Sequence, residues 1–185
     1  MLNELGVFDF LKKKKEPLLA VFSTAVPEAD AIAALPDFAR KFLHTVQNYS
    51  IQFYRDIHSH DSGGFPAVKE EFFYLLYFVF EHRIQCDRAP NAAESLLKQM
   101  HVLLTDAMSG TDRAFRAEVF WSVYRERAAA YVSEHGAPLS REKLLSVFTA
   151  HLLARLHDWP KLIAYHSAAV AGEALAELEG GFAGG

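Results

Sequence analysis

The chain has 185 residues, of which 51% are hydrophobic and 13% aromatic, and its formal net charge at neutral pH is −4. This size and composition predict one globular domain, since a chain of this length buries roughly 70% of its extended surface. The slight acidity argues against a dedicated nucleic-acid binder, which would carry a basic surface. A single cysteine, Cys86, excludes an internal disulfide framework and a multi-cysteine zinc site.

The first seventeen residues combine an apolar pattern with a basic cluster. Apolar residues recur at every third position there: Leu2, Leu5, Phe8 and Leu11. Four lysines follow them: Lys12, Lys13, Lys14 and Lys15. This pattern predicts a short amphipathic helix whose lysines contact an anionic membrane surface weakly, or alternatively a solvated charge run at a chain terminus. We therefore treat residues 1–17 as a separate segment, residues 18–179 as the helical domain and residues 180–185 as a flexible glycine-rich tail.

Periodic apolar residues predict an all-α bundle of about six main helices, preceded by one or two short N-terminal helices. A second short helix is predicted over Glu28–Leu35, because Pro36 fits the first turn of the next helix. The main helices are predicted at about 36–58, 66–85, 91–110 and 111–135, then from Ser140, and finally between Pro160 and Glu179. Asn91 and Glu94 resemble a capping box, and Thr111 is expected to cap the fourth main helix.

The apolar run Phe72–Phe80 has only nine residues, which is too few for a membrane-spanning helix. It predicts a buried central helix instead. The short apolar stretch Leu18–Val26 is bounded by proline and acidic residues, so a cytoplasmic location is expected rather than secretion.

Nine histidines make a metal site one hypothesis. Imidazole and carboxylate groups could form an octahedral site from His58, His60, Asp61, His82 and His101. The His60-Asp61 dipeptide resembles the metal-binding dipeptide of HD-type metal-dependent phosphohydrolases, which implies hydrolytic activity. That family continues with Gly-Lys, whereas Ser62-Gly63-Gly64 follows here, so the resemblance does not assign the chain to it. The alternative is a solvated helix C-terminus whose dipole is complemented by cationic histidines.

A pocket for a hydrophobic ligand or a haem is a second hypothesis. His151 and His166 are spaced to project toward apolar helix stripes, where a buried imidazole needs a partner. Together with nearby aromatic residues they give this ligand-binding set: Phe73, Tyr77, Phe148, His151 and His166. The alternative is that these histidines are ordinary core or boundary residues with satisfied hydrogen bonds.

The leading hypothesis is a non-catalytic helical module that binds or regulates a protein partner, with self-association expected. It rests on the absence of a nucleophile elbow, a P-loop, a dinucleotide fingerprint and a His-Glu-x-x-His motif. It also rests on aromatic-rich helices that can form interfaces. Four arginines interleaved with acidic residues predict ion pairing on an exposed helix face: Arg113, Arg116, Arg125 and Arg127.

Overall fold

The computed structural model describes residues 17–56, 64–156 and 162–179, and over these ranges the chain is an all-α bundle. A short 3₁₀ helix over Leu18–Phe22 comes first. Six helices follow: α1 Glu28–Asp56, α2 Phe65–Asp87, α3 Pro90–Thr111, α4 Ala117–Ala130, α5 Arg141–Arg155 and α6 Leu162–Glu179. The predicted fold class and its six main helices are confirmed. The predicted helix near residues 2–11, the four lysines after it and the tail of residues 180–185 lie outside the described ranges.

Helix α2 lies at the centre of the bundle and packs against each of the other five helices. Its middle is apolar on every side, and the side chains from Phe72 to Phe78 are all buried. A helix that is hydrophobic all round is stable only when it is enclosed by other elements. The predicted central helix is therefore confirmed, and α2 is the scaffold on which α3, α4 and α5 are placed.

The predicted break at Pro36 is wrong, because α1 continues through this proline from Glu28 to Asp56. Pro36 itself is exposed, while Leu35 and Phe38 on either side of it are buried. The apolar stripe keeps its helical phase across the proline, so both halves bury the same face against the core. This packing outweighs the backbone hydrogen bond that residue 36 cannot donate.

Two predicted helix starts are also wrong. Helix α3 begins with Ala89 as its N-cap and Pro90 as its first residue, so Asn91 lies inside the helix. Thr111 ends α3 and does not cap α4, since its hydroxyl donates to the carbonyl oxygens of Ala107 and Met108. The carboxylate of Asp112 then accepts a 2.8 Å hydrogen bond from the backbone N–H of Ala114, forming a local turn before α4.

Helix α4 ends at Ala130, five residues before the predicted end at His135. Tyr131 follows it and is completely buried, which turns the chain inward. The backbone N–H of Leu139 donates to the carbonyl of Tyr131 at 3.0 Å and closes the loop that leads to α5. Helix α5 begins at Arg141 with Ser140 as its N-cap, one residue after the predicted start.

Candidate functional site

An open groove of about 650 Å³ lies between α2, α3 and α4. We call it the aromatic groove. It is lined by Tyr77, Glu81, Gln85, Pro90, Ala93, Glu94, Leu97, Lys98, His101, Trp121, Tyr124 and Arg125. An apolar concavity with a few converging polar groups is the usual form of a binding site.

Three mutually packed aromatic rings form the floor of the aromatic groove. Tyr77 lies 5.2 Å from Trp121 and 5.0 Å from Tyr124, measured between ring centroids. The indole N–H of Trp121 donates a 2.9 Å hydrogen bond to the hydroxyl of Thr105, which fixes the ring orientation. Because each ring is held by the others, the floor is ordered before any ligand binds, which reduces the entropy cost of binding.

Two polar groups lie beside this floor, the carboxylate of Glu81 and the imidazole of His101. The hydroxyl of Tyr124 donates a short hydrogen bond to the carboxylate of Glu81. The imidazole of His101 lies against Trp121, with 4.1 Å between ring centroids and a 32° tilt. Burial lowers the pKa of His101, and the positive charge of Arg125 lowers it further, although Glu81 opposes both effects. The neutral imidazole is therefore favoured at neutral pH.

The rim of the aromatic groove carries uneven charge. Along α3, Glu94 comes first, Lys98 follows one turn later and His101 about one turn after that. Arg125 faces them from α4. Among the described residues, neither Lys98 nor Arg125 forms an ion pair. The groove therefore presents two cationic groups that the described part of the chain leaves without a carboxylate partner.

This arrangement is suited to binding. The groove offers a stacked aromatic floor, two carboxylates, one imidazole and two cations. One carboxylate, that of Glu81, is already bonded to Tyr124, and the other is that of Glu94. The described residues that line the groove include no serine or cysteine that could serve as a nucleophile. An apolar or aromatic group can lie on the floor while a negative group meets Lys98 and Arg125.

On its other flank α4 meets α2 and α5 through a partly buried charge cluster of Glu70, Glu71, Arg127 and Arg155. Glu71 is completely buried, and both of its oxygens accept hydrogen bonds from the Nε of Arg127, at 3.2 and 3.3 Å. Arg155 donates to Glu71 at 3.2 Å and to Glu70 at 2.7 Å. Among the described residues, the buried side-chain polar atoms that lack a hydrogen-bond partner include two near this cluster, the Tyr131 hydroxyl and the His151 Nε2. The prediction that Arg127 pairs on an exposed face is wrong, because it bonds to the buried Glu71.

The five residues of the predicted ligand pocket lie at different places. Phe73 and Tyr77 stack on each other at 5.6 Å, and Tyr77 lines the aromatic groove. Phe148 packs against Phe72 at 5.1 Å. His151 lies beside Tyr131 at 6.3 Å, and His166 stacks on Phe53 at 5.9 Å.

Three of the five predicted metal ligands, His58, His60 and Asp61, lie outside the described residues. His82 lines a groove of about 240 Å³ beside Cys86, and His101 lines the aromatic groove. Within the described ranges, no three His, Cys, Asp or Glu side chains are placed to hold a metal ion.

Trp121, Tyr124, Leu97 and Glu81 also line the aromatic groove and are not among the predicted site residues. Trp121 and Tyr124 are three positions apart on α4, which places both on one helix face. That spacing was the one available signal, and it did not show that α3 would leave space beside them.

Searches against protein-family models, curated proteins and solved structures found no significant match to this chain. No helix within the described ranges is long and apolar enough to cross a membrane.

Proposed function

We propose that the chain is a non-catalytic interaction module that binds a segment of a partner protein in the aromatic groove. The observation that supports it is the open groove itself, with a pre-packed aromatic floor and two cations that have no carboxylate partner among the described residues. A groove open to solvent accepts a chain that continues beyond it at both ends, as a peptide segment does.

The charge of the rim defines the partner. Lys98 and Arg125 favour an acidic residue, and the floor of Tyr77 and Trp121 favours an aromatic or large aliphatic side chain. The two features lie within the same groove, so the partner segment carries the acidic residue within about one helical turn of its anchor. Electrostatic attraction at the rim raises the association rate, and burial of the anchor supplies most of the affinity.

Selection from a displayed library of random peptides tests this proposal. We expect peptides selected on the full chain to share an aromatic or large aliphatic residue with an Asp or Glu within four positions. The Lys98→Glu/Arg125→Glu variant should bind these peptides at least about tenfold more weakly, and should instead select peptides with a basic residue in place of the acid. A matched variant, Lys143→Glu/Arg113→Glu, carries the same charge change on exposed residues outside the groove and should bind like the unmodified chain.

The site of binding is checked by fluorescence. The chain has two tryptophans, so a Trp159→Phe background leaves Trp121 as the only one. Binding in the aromatic groove should change the emission of Trp121. Selected peptides that leave Trp121 unchanged, or that bind equally to the charge-reversed variant, would overturn the proposal.

The two other hypotheses concern ligands that native mass spectrometry detects directly. Untagged protein purified without chelators would retain a bound haem or hydrophobic molecule, or a metal ion bound with HD-like hydrolase chemistry. A retained molecule that His151→Gln releases would favour the pocket hypothesis over peptide binding. A retained metal that His60→Gln releases would favour the hydrolase hypothesis.

A further inference from the structure

A second groove of about 570 Å³ runs along the other flank of α4. We call it the valine groove. Its apolar part is formed by Tyr74, Ala114, Phe115, Val119, Phe120 and Val123, and its charged part by Glu70, Asp112, Arg116, Glu126, Arg127 and Arg155. Val119 is 63% exposed, the largest exposed fraction of any aliphatic residue among the described exposed hydrophobics. Val119 adjoins the other apolar residues that line the groove, and contiguous apolar surface of this kind is suited to a protein contact.

The residues of this face have a symmetric order along the chain. Arg116, Val119, Val123 and Glu126 are separated by three, four and three positions. Val119 and Val123 lie two positions on either side of residue 121, and Arg116 and Glu126 lie five positions on either side of it. At 100° per residue, Val119, Val123 and Glu126 fall within about 60° of one another around the helix.

Two copies of this sequence of residues are complementary when they run in opposite directions. If a second α4 lies antiparallel to the first, Val119 faces Val123 of the other copy, and Arg116 faces Glu126. A two-fold axis makes each contact twice, as in an isologous interface. Arg116 is exposed and forms no ion pair with another described residue, and its Nη1 donates only to nearby backbone carbonyl oxygens at 3.3 to 3.4 Å. The side chain of Glu126 is 74% exposed, although Arg127 donates to one of its oxygens at 3.1 Å. Both ends are thus accessible to a second copy.

We propose that two copies of the chain associate through the valine groove with their α4 helices antiparallel. The Val119–Val123 contacts bury the exposed aliphatic surface, and the Arg116–Glu126 pairs set the orientation. The aromatic groove lies on the opposite flank of α4 and stays open in both copies. Such a dimer presents two binding grooves, so it would bind a repeated or dimeric partner with higher avidity than one copy does.

Charge reversal in sedimentation velocity experiments on the full chain tests this proposal, from about 1 to 500 µM so that weak association is detected. The unmodified chain should form a dimer. Arg116→Glu and Glu126→Arg should each raise the dissociation constant at least about tenfold, since each places like charges together twice. An equimolar mixture of these two variants should recover the dimer, because the mixed pair restores both attractive contacts. Glu118→Arg carries the same charge change as Glu126→Arg on the same helix but outside the groove, and it should not alter the dimer.

Recovery in the mixture separates a lost contact from a misfolded variant, because a misfolded chain would not be rescued by another. A chain that stays monomeric throughout the range would overturn the proposal. So would a dimer that survives both charge reversals, or one that the mixture fails to restore. The interface is independent of peptide binding, which Lys98→Glu/Arg125→Glu should weaken without changing any residue that lines the valine groove.

Discussion

The two flanks of α4 use opposite chemistry to pack against the same helix, α2. On one flank Phe73 and Tyr77 contact the aromatic residues of α4, and on the other the carboxylate of Glu71 accepts hydrogen bonds from Arg127. Phe73 and Glu71 are both buried, at 3% and 0% exposure. Two equally buried residues are therefore stabilised in different ways. An aromatic ring is stabilised by any well-packed neighbour, whereas a buried carboxylate depends on particular cations.

The aromatic flank should show the largest effect of a single substitution. Phe73 is within ring-contact distance of Phe42, Tyr77, Phe120 and Trp121. Phe73→Ala should lower the free energy of unfolding by about 4 kcal/mol, through lost burial and a cavity that these rings cannot fill. Phe73→Leu retains most of the volume and should cost about 1.5 kcal/mol. Urea unfolding followed by circular dichroism measures both values. Equal costs would mean that the ring cluster relaxes around the cavity.

The charged flank should show the second-largest effect of a single substitution. Arg127→Met keeps an aliphatic side chain but removes the guanidinium that bonds to Glu71. Among the described residues, Glu71 then keeps one ion-pair partner, Arg155. We expect the free energy of unfolding to fall by about 3 kcal/mol, because the buried carboxylate of Glu71 then lacks one of the cations that balance its charge. Arg125→Met on the same helix removes a cation that has no ion pair among the described residues, and should change stability by less than about 0.5 kcal/mol. If both substitutions cost the same, Glu71 does not depend on Arg127.

The aromatic flank was easier to predict from the sequence than the charged flank. The run Phe72–Phe80 identifies a buried central helix because no face of it is polar. Glu70 and Glu71 directly precede that run, and carboxylates beside an apolar run are usually exposed, yet Glu71 is buried. Its burial depends on arginines that are 56 and 84 positions away along the chain. Such pairings depend on how helices pack, and helical periodicity carries no information on that.

The same limit applies to the candidate site. The sequence predicts a ligand-binding role for Tyr77 and a metal-binding role for His101, and the structure places both in the aromatic groove. Each residue could be recognised as suited to binding, but the groove arises from three helices whose arrangement the sequence left open. Pro36 shows the reverse case, where the local signal for a break was clear and the packing of α1 overruled it.

A smaller effect tests how rigidly the aromatic floor is held. Thr105→Val removes the hydroxyl that accepts the hydrogen bond from the Trp121 indole and preserves the shape of the side chain. We expect a loss of about 1 kcal/mol, because the partly buried N–H loses its partner. Thr105→Ser keeps the hydroxyl and should retain the emission spectrum of Trp121, whereas the valine variant should shift it. An unchanged spectrum in the valine variant would show that ring packing alone fixes the indole.

The smallest effect concerns pH and compares one histidine from each flank. Burial lowers the pKa of both His101 and His151 below the usual 6.5, and in each case a nearby arginine acts in the same direction. Both histidines therefore bind protons more readily in the unfolded chain. Their contribution to stability is fully present above about pH 6.5 and is lost as the pH falls toward the lower, folded-state pKa.

His151 should contribute more than His101 to this loss, because its Nε2 is buried without a partner whereas His101 lies exposed on the groove rim. Urea midpoints measured between pH 7.5 and pH 5.5 should fall less steeply for His151→Gln than for the unmodified chain. His101→Gln should give an intermediate slope, and His135→Gln, at an exposed position, serves as the control. A larger change of slope for His101→Gln than for His151→Gln would place the stronger pH dependence on the aromatic flank. In that case the stability of the aromatic flank would depend more strongly on pH than the stability of the charged flank does.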